Sequence, residues 1–161
     1  MTINKFYLII ISFYLICVIP TVYIYLTHGN EEYLASQKSI EKGNDYKATK
    51  QIGEATLFLA IATGYIFVTG WMLYKPDSKI PKLVIIFGTI AVIILYFMRI
   101  YGIPLPGTDI IIRDLSTDWR DVVTKICQSI IIFLVTLLIG VNKKIPQPVS
   151  YTHLRAHETS L

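Results

Sequence analysis

The chain has 161 residues, of which 53% are hydrophobic and 16% are charged, and its formal net charge is +4. Such a high apolar share with so few charges excludes an ordinary soluble domain. The lysines lie in the connections between apolar runs, so the basic balance does not indicate binding to a nucleic acid.

Four apolar runs divide the chain, and each predicts a transmembrane helix. The uncharged runs cover residues 6–26, 55–74, 83–98 and 126–141. A hydrocarbon core of ~30 Å needs ~20 apolar residues in a helix, so the two shorter runs need their flanking turns in order to span. Backbone groups in lipid must be satisfied internally, which requires helices.

The predicted fold class is therefore all-α: a polytopic membrane protein with four transmembrane helices in a bundle and two ordered outer loops. The predicted spans are about 6–26, 55–74, 80–98 and 119–141, within one membrane domain of residues 1–147. A cleaved signal peptide is the alternative for the first run, but its apolar stretch is too long and no small-residue cleavage site follows it. Pro20 lies inside that run and is expected to kink the outer third of the helix.

Basic residues predict the orientation of the spans. With four spans, both termini and the connection 74–82 lie on one side. That side carries Lys5, Lys75, Lys79, Lys82, Lys143 and Lys144. The positive-inside rule places this side in the cytoplasm, and residues 27–54 and 99–125 outside a plasma (cell) membrane.

The two cysteines, Cys17 and Cys127, are expected to lie apart. Cys17 falls about nine residues, or ~13 Å, below the outer end of the first span, whereas Cys127 falls near the outer mouth of the fourth. A disulfide needs Cα atoms within ~7 Å, so no bridge is expected.

The first outer loop predicts two short helices. Asn30, followed by two glutamates, has the pattern of a helix start, Gly43 with Asn44 stops that helix, and a second helix begins near Asp45 and enters the second span. The first of these helices is expected to lie on the outer membrane surface as an amphipathic helix. A docking surface for a partner is the alternative.

The second outer loop is predicted to be stiff and acidic. Gly102 to Gly107 encloses two prolines, which restrict the turn. Ser116 or Thr117 then caps a helix whose first turn carries Asp118 and Asp121. Capping explains those two of the four aspartates in the loop, but it does not explain Asp109 and Asp114, nor Arg113 beside them.

The same stretch resembles a family of uncharacterised four-helix integral membrane proteins of actinobacteria and some archaea. The likeness rests on the Lys75-Pro76 loop, on Arg99 followed by G-I-P-x-P-G, and on the acidic entry to the fourth span, and it covers roughly residues 55–139. The family pattern has arginine where this chain has Lys75, and it lacks the T-D-W-R-D segment. The resemblance implies a four-helix fold and no established activity, so no catalytic residue is carried over.

The C-terminal segment, residues 148–161, is expected to be an artefact of DNA sequencing. The ten residues from Val149 to Glu158 are matched by whole codons in one frame of a transposon-end library adapter, and residues 149–159 resemble its translation. His153 and His157 have a metal-ligand spacing, but they are therefore excluded from any site. His28 is then the one remaining histidine.

Two classes of cofactor-binding membrane protein are excluded on this basis, and a transporter is disfavoured. A bis-histidine cytochrome needs two axial ligands, and a carboxylate-bridged metal site needs Glu-x-x-His pairs, so no cofactor is predicted. A transporter would carry ionisable residues in its spans, where we expect none. The polar residues of the spans are assigned to helix packing: Thr63, Tyr65, Thr69, Tyr96 and Gln128. Gly64 and Gly70 are expected to let helices approach closely.

One group of ionisable residues remains as a candidate site. The predicted topology places these residues at the outer membrane boundary, with at least one of them near the outer end of each span. The group consists of His28, Glu54, Arg99, Asp109, Arg113, Asp114, Asp118, Arg120 and Asp121. Three interpretations are open: charges that accumulate where water begins, a structural pair of Arg99 with an aspartate, or binding of a substrate or of a metal with His28 as ligand.

The sequence thus favours a membrane protein without catalytic chemistry. We expect an accessory or scaffold subunit that presents its outer loops to a membrane-protein partner or to a second copy of itself in the lipid bilayer. The alternatives are a transporter or sensor for a small ligand or ion, and weak metal binding at the outer surface.

Overall fold

The computed structural model describes residues 5–103 and 118–142, and the regular secondary structure of these residues is all α-helix. The helices are α1 (Lys5–Glu41), α2 (Asp45–Tyr74), α3 (Ile80–Tyr101) and α4 (Trp119–Asn142). Each is long and apolar enough to cross a membrane. The predicted all-α class with four helices of this kind is confirmed. Residues 104–117 and the tail 148–161 lie outside the described part of the chain.

α1 is one continuous helix of 37 residues, about 55 Å long at a rise of ~1.5 Å per residue. The predicted helix start at Asn30 is wrong, since Asn30 lies in the interior of α1, as does Pro20. The surface helix expected after residue 30 is therefore a direct extension of the first span. The chain has no proline between positions 21 and 41, and Gly29 is buried against α2, so tertiary contact favours continuation of the helix there.

The turn between α1 and α2 follows the predicted positions. Gly43 has a φ of +67°, which suits glycine at the end of a helix. The side-chain Oδ1 of Asn44 accepts a hydrogen bond from the Lys47 N–H at 3.1 Å and so caps α2, which begins at Asp45. The two helices therefore form a hairpin, and the Ser39 hydroxyl donates to Gln51 across it at 2.7 Å.

Close approach between α1 and α2 occurs at Gly29 rather than at the predicted glycines. A Cβ at position 29 would lie 2.8 Å from Cγ of Leu59 and 3.3 Å from the carbonyl oxygen of Ala55. A Cβ at Gly64 or Gly70 would meet nothing within 4 Å. The expectation for these two glycines is wrong, because no neighbouring helix approaches either position closely enough to contact an added Cβ.

The connection between α2 and α3 buries one of its predicted basic residues. Lys75 and Lys79 are exposed, but Lys82 is fully buried in the first turn of α3. Its ammonium donates a hydrogen bond to the carbonyl oxygen of Pro76 and so closes the connection. The expectation of an ionisable-free interior is wrong here, because a long lysine stem lies along its own helix and reaches a backbone acceptor.

The helices pack in pairs around one apolar core: α1 contacts α2 and α4, and α3 contacts the same two helices. Hydrogen bonds join the helices across this core, since Tyr14 bonds Thr69 at 2.7 Å and Tyr65 donates to Thr89 at 2.9 Å. The predicted role of Tyr65 and Thr69 in helix packing is therefore confirmed. The Thr63 hydroxyl instead donates to a carbonyl of its own helix.

The predicted separation of the two cysteines is wrong. Cys17 on α1 and Cys127 on α4 lie close enough for their thiols to influence one another, and both are free thiols. α4 begins at Trp119, so Cys127 lies eight positions into the helix, or ~12 Å at the helical rise. That depth matches the ~13 Å expected for Cys17.

Candidate functional site

A cavity of about 60 Å³ opens at one end of the four helices, and all four contribute to its lining. It receives His28 from α1, Glu54 from α2, Arg99 from α3 and Asp121 from α4. The structure thus brings together four of the predicted site residues, one per helix. We call this end of the molecule the His28 end, and the opposite end, where the α2–α3 connection lies, the Lys82 end. On the order of four water molecules fit such a volume.

Two further predicted residues lie beside the cavity and serve a different purpose. Arg120 donates from Nε to Asp118 at 2.6 Å and from Nη1 to the carboxylate of Glu31 at 3.0 Å. This ion pair ties the start of α4 to α1, and the bond from Arg120 lowers the pKa of the Asp118 carboxyl below its usual range. The other predicted members, Asp109, Arg113 and Asp114, lie outside the described residues.

His28 carries a buried nitrogen without a partner. Its ring packs against Phe58 with the centroids 5.6 Å apart, and its Nδ1 lies 3.7 Å from the carboxylate of Glu31. Its Nε2 is buried and has no hydrogen-bond partner in the described part of the chain. Because an unsatisfied buried nitrogen is costly, this atom favours a polar group in the adjoining cavity.

Lys125 is the cavity residue that the sequence analysis missed. Its ammonium donates to the Tyr25 hydroxyl at 3.3 Å and to Oε1 of Gln128 at 2.9 Å, and it lies 4.5 Å from the centre of the Tyr96 ring. Among the described residues, no carboxylate lies within 4 Å of it. Lys125 falls inside the predicted fourth span, 119–141, but before its uncharged run, 126–141, and the sequence pattern assigns it no role.

A sequence signal for Lys125 exists in its spacing to Gln128. Positions three apart share one face of a helix, and Gln128 is assigned to helix packing from the sequence, so a lysine at position 125 is expected on the same inward face. The structure agrees, since Gln128 is fully buried.

The charges around the cavity are of both signs. Glu54 is paired with Lys50 at 3.8 Å, and its side chain is only 12% exposed. Asp121 lies one helical turn before Lys125, close enough to attract it. Arg99 and Lys125 come from different helices and lie close enough to repel one another. Arg99 and Lys125 thus place two cationic donors on one small cavity beside the carboxylates of Glu54 and Asp121, and these donors suit an anionic group.

A chain of hydrogen bonds leads from the cavity into the core. Nε2 of Gln128 donates to the hydroxyl of Tyr25 at 3.0 Å and lies 3.4 Å from that of Tyr65, which in turn donates to Thr89. The polar groups next to Lys125 are thus satisfied by one another, and this network fixes where the ammonium lies.

In the described part of the chain, no three His, Cys, Asp or Glu side chains are grouped closely enough to hold a metal ion. The geometry favours hydrogen bonding to a ligand instead.

No protein-family model matches the chain, and neither a curated protein nor a solved structure is significantly similar to it. The resemblance to four-helix membrane proteins of actinobacteria and archaea therefore stays a prediction.

Proposed function

We propose that the protein is a four-span membrane protein that binds a small anionic group in the cavity at the His28 end. The carrying observation is the Lys125 ammonium, which lines the cavity with no carboxylate within 4 Å among the described residues. The attraction of Asp121, one helical turn away, is not a direct ion pair, so an anionic ligand would further offset the cost of removing this charge from water.

The neighbours of Lys125 support this proposal. An ammonium has three N–H groups, and two of them bond Tyr25 and Gln128, so a third is left for a ligand. Arg99 supplies a second cation on the same cavity, and a guanidinium has five donors to distribute among its partners. The buried Nε2 of His28 supplies a further polar atom.

The proposed role is binding without catalysis. Among the described residues of the lining, Thr124 carries the one hydroxyl besides those of the tyrosines, and it donates to the carbonyl of Arg120 in its own helix. A nucleophile needs an adjacent base, and this hydroxyl is engaged by the backbone instead. The protein would then act as a sensor, carrier or regulatory subunit.

We also propose that the His28 end faces the outside of the plasma membrane and that both termini are cytoplasmic. Lys75 and Lys79 support this orientation, because both are exposed in the short connection at the Lys82 end.

The test is thermal unfolding of the purified protein in detergent with rising inorganic phosphate at constant ionic strength. We expect a saturable rise in Tm for the wild type and for the control Lys47→Gln, whose lysine is exposed on the hairpin. Lys125→Gln should lose the rise. An equal response of Lys125→Gln, or no saturable response in any variant, would overturn the proposal.

A second candidate function is docking of a partner membrane protein by the part of the α1–α2 hairpin beyond the cavity. From Gly29 to Glu41 this part of α1 is about 18 Å long. It carries large exposed apolar side chains, and α2 adds more: Tyr33, Leu34, Ile40, Tyr46 and Ile52. Exposed apolar groups outside lipid favour contact with another protein. This observation supports the accessory or scaffold role.

Cross-linking in native membranes tests the docking role. We expect the wild type to be cross-linked to one protein species in fixed proportion. The double variant Tyr33→Lys, Ile40→Lys should no longer be cross-linked to it. Capture only of a second copy would assign the surface to a homo-oligomer, and a clean monomer in mild detergent would contradict docking.

A further inference from the structure

A second cavity, of about 170 Å³, lies between α2 and α3 and adjoins the first. Ile61 and Val92 line both cavities, so the two form one recess along the α2–α3 interface. On α2 the recess runs from Glu54 to Val68, which are 14 positions or about 21 Å apart. It therefore begins at the charged residues of the His28 end and reaches toward the Lys82 end.

The second cavity is apolar in its chemistry, although two of its lining residues are polar. Tyr65 and Thr89 face each other across it, and the tyrosine hydroxyl donates to the threonine at 2.9 Å. Both polar side chains are thus satisfied by the protein. The remaining lining is aliphatic or glycine, so an occupant of this section needs no polar group.

Two glycines hold this section open. Gly64 on α2 and Gly88 on α3 line the cavity, and a Cβ at either would meet nothing within 4 Å. At a close helix contact, a glycine is needed because a Cβ would collide with the neighbour, as at Gly29. Gly64 and Gly88 leave a gap between two helices instead.

The recess thus combines, at one end, a cavity that carries the cationic groups of Lys125 and Arg99 beside two carboxylates, with an apolar groove of hydrocarbon length. We propose that it binds one anionic phospholipid, with the phosphate against Lys125 and Arg99 and an acyl chain in the α2–α3 groove. This inference rests on the proposed function, because it names the molecule that carries the anionic group.

The dimensions support a lipid over a soluble anion. An acyl chain reaches about half of the ~30 Å hydrocarbon core, or roughly 15 Å. The groove from Ile61 to Val68 accounts for about 10 Å of that reach, and the cavity beyond Ile61 takes the glycerophosphate. A soluble anion would use the cavity and leave the groove unexplained, whereas an amphiphile uses both.

The test is lipid retention by the full chain, measured by native mass spectrometry after delipidation and re-addition of phosphatidylglycerol or phosphatidylcholine. We expect one phosphatidylglycerol per chain, bound roughly tenfold more tightly than phosphatidylcholine. Lys125→Gln should remove that preference. A Cβ at Gly88 meets nothing within 4 Å, so Gly88→Leu should occupy the groove and weaken retention by roughly tenfold. Gly140→Leu is the matched control, since a Cβ at Gly140 also meets nothing within 4 Å and Gly140 lines neither cavity.

The outcomes separate this inference from the proposed function. If Gly88→Leu loses the lipid but keeps the saturable Tm rise with inorganic phosphate, both are supported. If the lipid is retained equally by Gly88→Leu and Gly140→Leu, or without preference for the anionic headgroup, the binding is that of an annular lipid and the inference is overturned. If neither phosphate nor phosphatidylglycerol binds in a manner that depends on Lys125, both fail.

Discussion

The ammonium of Lys125 on α4 lies 4.5 Å from the centre of the Tyr96 ring on α3. A lysine over an aromatic face is attracted by the negative face of the ring, and this attraction is stronger when the charge is removed from water. The contact joins two helices at the wall of the cavity. The contact with the Tyr96 ring also holds the Lys125 ammonium near the Arg99 side chain, although these two cations repel one another.

The Tyr96 ring should therefore stabilise the pairing of α3 and α4. We expect Tyr96→Leu to lower the free energy of unfolding by about 1–2 kcal/mol, the range for a partly desolvated cation–π pair. Tyr96→Phe keeps the ring and should stay close to the wild type. Equilibrium unfolding in mixed micelles measures both, and an equal loss in the two variants would show that the hydroxyl matters and the ring does not.

Substitution of Gln128 should destabilise the protein more than substitution of its exposed neighbour Ser129. Its side chain is fully buried, accepts from Lys125 and donates to Tyr25. Gln128→Leu leaves these partners unsatisfied, and we expect a loss of about 1–3 kcal/mol in the free energy of unfolding. Ser129→Ala is the control, because Ser129 is exposed and bonds a carbonyl of its own helix. A neutral Gln128→Leu would argue against the network.

Alanine substitutions at Gly29 and Gly64 test the close contact between α1 and α2. Gly29→Ala brings a Cβ to 2.8 Å from Cγ of Leu59, so we expect a loss of about 1–3 kcal/mol from overpacking. Gly64→Ala meets open space and should be neutral or stabilising by about 0.5–1 kcal/mol, because alanine favours a helix. The same unfolding assay measures both variants. Similar changes in the free energy of unfolding for Gly29→Ala and Gly64→Ala would contradict the close contact at Gly29.

The pair of Asp118 with Arg120 predicts a pH dependence at the start of α4. The bond from Arg120 lowers the pKa of Asp118 in the folded state. The carboxylate therefore contributes stability above its unfolded pKa of about 3.9, and this contribution is lost as the pH falls through the lower folded pKa. We expect the difference in Tm between the wild type and Asp118→Asn to be constant above about pH 5 and to shrink below about pH 4.

A control separates this pair from general acid effects. Glu41 is exposed at the end of α1, so Glu41→Gln should follow the wild-type pH profile. If Asp118→Asn also follows the wild-type pH profile, the ion pair contributes nothing measurable to stability, which is a common result for exposed pairs.

The proposed orientation predicts opposite labelling of two lysine positions. Lys42 lies at the hairpin turn beyond the His28 end, and Lys75 lies at the Lys82 end. In a chain with both native cysteines replaced, a membrane-impermeant maleimide should label Lys42→Cys on intact cells and Lys75→Cys only after permeabilisation. The reverse pattern would invert the topology.

The sequence by itself determined the number of long apolar helices and the position of the apolar run within each, since a helix that crosses lipid requires a long uncharged run. It also determined that each helix brings a charged group to the same end, because charges lie where an apolar run stops. His28, Glu54, Arg99 and Asp121 were named on that ground, and they line one cavity. Local turn chemistry likewise predicted Gly43 and Asn44 correctly.

Only the tertiary structure decided how far each helix continues and which side chains face inward. α1 passes Asn30 without a break because Gly29 packs against α2, a contact between residues distant in sequence. Lys125 is a cavity residue because Tyr96 and Gln128 surround its ammonium from two helices. Such contacts depend on the rotation of each helix about its axis, which the packing of neighbouring helices decides and which the length of an apolar run does not encode.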